Sequence, residues 1–238
     1  MKKKIVILGA GGFAKELIWI IKDINDKQKK EDFVYYDILG LIDEDKGKDG
    51  LMLMGYKIYG ELKSPLFWNK NFKNWDNKNI NVNKDKAEKI FAICSLGNAK
   101  GRAELIEKAT MKGFNFVSLI HPNVIKSEYI TIGEGSIIMP GTVLTVDVKI
   151  GKHVLINKLC SIGHDSEIRN FCTLAPGVKI GGNVVIEEKC DIGMNATIIQ
   201  SVRIGRETTV GAGAVVLNDL PDKCVAVGVP AKIIKYKN

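Results

Sequence analysis

The stretch IGHDSEIRNFCTLAPGVKIGGNVVI, residues 162 to 186, puts an aliphatic side chain at every sixth position: Ile162, Ile168, Leu174, Ile180 and Ile186. A helix repeats its buried face about every 3.6 residues and a strand every 2, so neither alone makes this period. Followed outward in both directions, the series runs unbroken from Ile132 through Ile138, Leu144, Ile150 and Ile156, and on through Ile192, Ile198, Ile204 and Val210 to Val216. Two residues before each member stands a small or β-branched one, such as Ser136, Thr142, Val148, Cys160, Cys172 or Cys190. Glycine often follows, as at Gly133, Gly151, Gly163 and Gly205. Two inward positions separated by one outward position describe a short strand, and the residues left over make a bend. Each six residues then form one side and one corner, and stacking them buries a continuous core: a parallel β-helix.

Residues 2 to 112 follow a different grammar, in which strand-like runs (KKIVILGAG, DILGLID, KIFAICSLG) alternate with helical ones from Phe13 to Lys22 and from Ala99 to Lys112. That alternation predicts a small α/β unit with parallel strands. The Asn- and Lys-rich stretch from Lys63 to Lys86, with Trp68 and Trp75, has no period and is left as loop and short helix. The expected division is a Rossmann-like domain over residues 1–113 and the β-helix with a C-terminal tail over 114–238.

The totals exclude several classes. Five cysteines contain no C-x-x-C pair and are odd in number, which argues for a reducing compartment and against a zinc ribbon or disulfide scaffold. Three of them fall at the small inward position, where packing explains them. The net charge of +8 comes from lysines interspersed with acids, a solvated surface and not a nucleic-acid stripe. The basic, apolar start is broken by ILGAGG and then Lys15 and Glu16, unlike an export signal, and no apolar run reaches membrane length. A cytoplasmic protein without a metal is the expectation.

The repeat resembles the left-handed version of the β-helix, with three hexapeptides to a triangular coil; the handedness comes from that resemblance and not from the spacing. Fifteen repeats would make five coils. Residues eighteen apart then stack, so Val146, His164, Gly182 and Gln200 share one edge and Asp147, Asp165, Asn183 and Ser201 lie beside them. Ile162 points inward, so His164 and Asp165 fall at a corner where the core does not need them. A histidine there suits proton transfer, with a neighbouring carboxylate to fix its tautomer, and it equally suits a polar bend. His153 falls on another edge, and His121, in LIHPN, is expected to cap a turn.

The chain as a whole resembles the nucleotide-sugar N-acetyltransferases of the bacillosamine-pathway and sialic-acid acetyltransferase type. The resemblance is carried by ILGAGGFAKE, LGLIDED, LGNAKGR, LIHPNV, IIMPGTVL, LIN, IGHD, APGVKIGGNV and VGVPAKII, in order over nearly the whole length. It implies that His164 is the base acting on the sugar's amine, assisted by Asp165, that the Gly182 N–H faces the thioester oxygen of acetyl-CoA, and that Asn157 is a polar neighbour. It places Thr173, Gly182, Met194, Ala212, Gly228, Pro230 and Lys232 on the acetyl-CoA side, Thr173 standing where many members carry a second histidine. It implies a homotrimer, with acetyl-CoA held between neighbouring solenoids.

Gly9, Gly11 and Ala14 meet the G-x-G-x-x-G/A pattern between a strand and a helix, with Asp43 ending the next strand. The geometry supports a phosphate-bearing ligand at a helix N-terminus, approached closely because Gly11 and Gly12 lack side chains. The resemblance makes that ligand the nucleotide sugar, with Asp43 near the base or ribose, Gly97 and Asn98 closing the pocket, and Phe13 where many members have histidine. The leading expectation is acetyl-CoA-dependent N-acetylation of the 4-amino group of a nucleotide-linked amino-deoxysugar for bacterial surface glycans. The rivals are O-acetylation of a sialic acid or related hydroxyl, a non-catalytic nucleotide-sugar-binding protein, and an NAD-dependent oxidoreductase. A zinc carbonic anhydrase on this scaffold needs three histidine ligands in the solenoid, where only His153 and His164 occur, on different edges.

Overall fold

A computed structural model of the protein describes residues 2–28, 35–63, 65, 67, 68 and 89–237. Most of the Asn- and Lys-rich stretch, Trp75 included, lies outside the described residues. The chain divides into two compact units, one of Met1–Leu96 with Glu104–Val117 and the other of Gly97–Ala103 with Ser118–Asn238.

The first unit is an α/β sheet. β1 (Lys2–Leu8) leads through the glycine-rich turn into α1 (Gly12–Gln28), followed by β2 (Tyr35–Ile42), β3 (Met52–Leu53), β4 (Tyr56–Tyr59), β5 (Ile90–Cys94) and β6 (Asn115–Phe116); α2 (Ala99–Met111) precedes β6, and only its residues from Glu104 onward belong to this unit. The order is β3-β4-β2-β1-β5-β6, parallel except where β3 meets β4. β1 is flanked on both sides, which is why Ile5, Val6, Ile7 and Leu8 run as a continuous apolar string with no exposure. The chain steps from β1 to one side for β2 and to the other for β5. The carboxyl ends of β1 and β5 therefore mark the switch point at which open α/β sheets bind ligands.

The second unit is a three-sided solenoid. Two-residue strands stack every eighteen residues, 137–138 on 155–156 and 143–144 on 161–162, so three parallel sheets form the faces. The first face carries 155–156, 173–174 and 191–192, the second 161–162, 179–180 and 197–198, the third 167–168, 185–186 and 203–204. The inward series is buried throughout, from Ile138 to Val216. Every sixth residue from Gly135 to Gly213 is left-handed, including Asp165 (φ 57°) and Asn183 (φ 57°), and these residues turn the corners. Asp and Asn tolerate that conformation best among non-glycine residues.

The polar members of the small inward position are satisfied in a regular way. Ser136, Thr142, Ser166, Cys160, Cys172 and Cys190 each donate to the carbonyl fifteen residues ahead, from Ser136 Oγ to Gly151 O (2.9 Å) to Cys172 Sγ to Glu187 O (2.8 Å). A buried hydroxyl or thiol is tolerated because the coil above offers it a corner carbonyl. All five cysteines are buried and free. The stacking begins earlier than the aliphatic series suggests: 119–120, 125–126 and 131–132 already form the first coil, and the second face holds six strands where five were expected.

Candidate active site

His164 and Asp165 stand on the edge between the second and third faces, just after the 161–162 strand. The His164 backbone is pinned, its carbonyl accepting from Asn183 N–H at 2.8 Å, while Asp165 N–H donates to Val146 O at 3.1 Å. The side chains are open to solvent, 63% and 53% exposed, and Nδ1 lies 2.7 Å from Asp165 Oδ2. A carboxylate at Nδ1 keeps the proton on that nitrogen and leaves Nε2 with a free lone pair. This is the arrangement of a general base with its orienting acid.

Gly182 sits one coil above. A Cβ there would meet His164 Cε1 and Nε2 at 2.6 Å each, so only glycine lets the backbone lie over the imidazole. Its carbonyl accepts from Ser201 N–H, while its own N–H donates to none of the described residues, as is also true of the stacked corner residues His164 and Gln200. An unspent N–H beside a base suits a developing oxyanion. His153, on the edge between the third and first faces, is the contrasting case. Its ring is buried and stacks on Phe171 (5.3 Å, 15°), and burial, opposed by Glu134 and helped by Arg102 and Lys152, lowers its pKa to about 4. His121 caps a turn as expected, Nδ1 accepting from Asn123 N–H at 3.0 Å.

The remaining solenoid candidates gather elsewhere. Asn157, Met194 and Ala212 fall on the edge between the first and second faces, at the opposite end of the second face from His164. Asn157 Oδ1 accepts from Lys158 N–H (2.8 Å), and Met194 is 55% exposed. Gly228 and Ala231 fold back on Val215, which donates to Gly228 O (3.0 Å) and accepts from Ala231 N–H (2.8 Å), with Pro230 between them and Lys232 exposed in the final strand. Thr173 is expected on the acetyl-CoA side, and its hydroxyl donates to Gly97 O at 2.7 Å. Asn98 caps α2, its Oδ1 accepting from Gly101 N–H at 2.9 Å.

Arg102 ends the LGNAKGR motif, which assigns it no role, and it is 2% exposed. Its guanidinium donates through Nε to His153 O (3.0 Å), through Nη1 to Gly97 O (2.9 Å) and through Nη2 to Phe171 O (2.8 Å) and Cys172 O (3.0 Å). Its partners are backbone carbonyls as far as 70 residues away, which no short motif displays.

In the first unit the glycine-rich turn is built as expected. Gly9 has φ 96°, and a Cβ there would strike Ser95 Oγ at 2.6 Å; Gly11 and Gly12 are exposed with nothing within 4 Å of their Cβ directions. Phe13 follows in the first turn of α1. Asp43 Oδ2 accepts from Ala10 N–H (2.8 Å) and Lys48 Nζ (2.9 Å), and Oδ1 from Asp45 N–H (3.1 Å). Burial raises the Asp43 carboxyl, but these donors outweigh it and bring the group below its ordinary value.

No family model matches the chain. Among solved structures, a histidine-to-asparagine variant of perosamine N-acetyltransferase from Caulobacter crescentus, in complex with CoA and GDP-perosamine, is similar at 29% identity and a TM-score of 0.80, over 98% of this chain and 97% of that one. WeeI from Acinetobacter baumannii is similar at 28% and 0.77, over 98% and 100%. The acetyltransferase domain of PglB from Neisseria gonorrhoeae, in complex with acetyl coenzyme A, stands at 25% and 0.76, over 98% and 100%. Fold and likeness together define an acyltransferase on a left-handed β-helix. Within that class the chain is similar to the nucleotide-sugar acetyltransferases of hexapeptide-repeat type, the resemblance its motifs carry.

Proposed function

We infer that the protein transfers acetyl from acetyl-CoA to the 4-amino group of a nucleotide-linked amino-deoxysugar. The observation that carries this reading is the exposed His164–Asp165 pair, Nδ1 to Oδ2 at 2.7 Å, with Gly182 seated over the ring. His164 Nε2 takes the proton that the amine sheds as its nitrogen bonds the acetyl carbon. The same proton then goes to the departing CoA thiolate, so that amine and thioester become amide and thiol. Asp165 holds the ring and stabilises its protonated form. The Gly182 N–H meets the negative charge on the carbonyl oxygen. CoA with GDP-perosamine in the Caulobacter enzyme, and acetyl coenzyme A in the Neisseria domain, support both substrates.

The nucleotide falls to the turn Gly9–Phe13 with Asp43. The open space beyond the Gly12 Cβ direction makes this testable, since valine there meets no protein atom within 4 Å of its Cβ. Gly12→Val is expected to raise KM for the nucleotide sugar at least about tenfold by blocking close approach of the backbone to phosphate, with KM for acetyl-CoA unchanged. Separate saturation curves check it, and a rise for acetyl-CoA alone contradicts it.

The enzyme is a homotrimer in this reading. His164 stands at one end of the second face and Asn157, Met194 and Ala212 at the other, so an acetyl-CoA lying along that face of a lone solenoid would be open to water, and a second solenoid packed alongside would supply a wall. The exposed Leu159 (70%) and Met194 (55%) on that edge suit such packing. Closed symmetric assemblies are the norm for homo-oligomers. Light scattering at assay concentration is expected to give a trimer, and a fully active monomer contradicts this. Five free thiols and a reaction that consumes acetyl-CoA support a cytoplasmic place in bacterial surface glycan synthesis. The product tests the bond formed: an amide resists hydroxylamine, whereas an acetyl ester on a hydroxyl is cleaved by it.

A further inference from the structure

Within the α/β unit, the chain that leaves β2 is seated on the end of β4. A single 3-10 turn, Lys46–Lys48, is capped by Asp45, whose side chain accepts from Gly47 N–H at 3.0 Å. Just past the turn, Asp49 Oδ1 accepts from Gly60 N–H at 2.9 Å. Gly60 has no room for a side chain, since a Cβ there would meet Asp49 Cβ at 2.8 Å, so the carboxylate is fixed against the strand end. A cavity of about 420 Å³ opens beside it, lined by Lys46, Asp49, Tyr59, Gly60, Glu61 and Lys63.

Two of the polar groups around this cavity are unspent. Lys63 is taken by Glu61 (3.9 Å) and lies over the Phe67 ring (4.4 Å). Lys46 Nζ pairs with none of the described residues, and Asp49 Oδ2 accepts from none of them. An ammonium and a carboxylate oxygen thus line one cavity without closing on each other, a strong donor beside a strong acceptor.

The cavity is also at the right remove from the glycine-rich turn. Asp43 links the two, its N–H donating to Tyr59 O at 3.0 Å and its Oδ2 accepting from Ala10 N–H at 2.8 Å. β1, β2 and β4 are neighbours in the sheet, each about 4.8 Å from the next, so the turn after β1 and the cavity at the end of β4 stand roughly 10 Å apart. A nucleotide spans that interval with its diphosphate at the turn, its ribose by Asp43 and its base in the cavity, outside the carboxyl ends of the strands.

The bases differ in what they would offer there. Guanine presents a ring N–H and an amino group side by side, with a carbonyl oxygen next to them; a carboxylate accepts from both donors and an ammonium serves the oxygen. Uracil and thymine present one N–H between two carbonyls, so a carboxylate gains one bond and faces a repelling oxygen. We propose that this cavity is the nucleobase site and that Asp49, with Lys46, selects guanine, which makes the substrate a GDP-linked sugar. The inference rests on the nucleotide-sugar reading and deepens it by naming the nucleotide.

The test is calorimetric titration of the full-length protein with GDP, IDP, UDP and dTDP as separate ligands, for wild type, Asp49→Asn and Gly12→Val. Asparagine keeps a carbonyl oxygen for Gly60 N–H and turns the other oxygen into a donor, so Asp49→Asn is expected to melt as the wild type does. In the wild type GDP should bind about tenfold or more tighter than UDP or dTDP, the worth of a hydrogen bond to a charged group, and IDP, which lacks the amino group, about 3- to 10-fold weaker than GDP. Asp49→Asn should weaken GDP about tenfold and leave UDP and dTDP unchanged, whereas Gly12→Val should weaken all four alike. A wild type that binds the four equally or prefers UDP or dTDP, or an Asp49→Asn that binds GDP as the wild type does, would overturn this inference and leave the nucleotide-sugar reading standing. A wild type that binds none of the four would overturn both.

Discussion

Replacement of His164 by alanine is expected to lower kcat by about two to four orders of magnitude, the usual worth of a positioned general base. The substitution removes the Nε2 lone pair and leaves the corner intact, because the backbone of residue 164 is held by Asn183 N–H and the side chain is 63% exposed. KM for either substrate should therefore change little. Asp165→Ala should cost less, since the carboxylate orients the ring without touching the transferred proton. A Gln at 164 would not restore activity, for a carboxamide has no comparable basicity. Turnover of His164→Ala within threefold of wild type would exclude this histidine as the base.

Arg102→Met is expected to lower stability by about 3 kcal/mol, because a fully buried guanidinium is lost and carbonyls it served are left short of a donor. Cys172 O keeps the N–H of Leu155 and Gly97 O keeps the Thr173 hydroxyl, while His153 O and Phe171 O lose a donor. For a chain of this length that corresponds to a fall in Tm of roughly 6–12 °C. Arg102→Lys should recover only part, since an ammonium cannot reproduce the fork that reaches four carbonyls. Thermal unfolding of the three proteins checks the order wild type, Lys, Met. A Tm for Arg102→Met equal to that of wild type would mean that the buried contacts contribute nothing net.

The solenoid was legible because its period is enforced at every turn: each inward position must be apolar or a small group able to reach a corner carbonyl, and each corner needs a left-handed residue. The same arithmetic brought His164 and Gly182 together on one edge and set His153 apart on another. The first coil was missed for a physical reason, in that Lys126 stands in the register of the aliphatic series and is exposed, so the pattern breaks at the open end where less core has to be covered. Arg102 stands in the quoted LGNAKGR motif, but its role was not legible because the backbone carbonyls it serves are distant in sequence. The stacking of Thr173 with Asp191 eighteen residues on could be counted from the period; what could not be counted was that residues 97–99 lie against that face. The proposed nucleotide-sugar site is built on loops, and no periodicity encodes which sugar or nucleotide it would take.

Release of CoA thiol by the wild-type protein tests the central claim most directly. UDP-, dTDP- and GDP-linked 4-amino-4,6-dideoxysugars would each be offered with acetyl-CoA and the free thiol followed over time. The account predicts that at least one of them gives thiol in step with N-acetylated product, at a rate abolished in His164→Ala. Thiol release no faster than acetyl-CoA hydrolysis with every 4-amino sugar offered would contradict it.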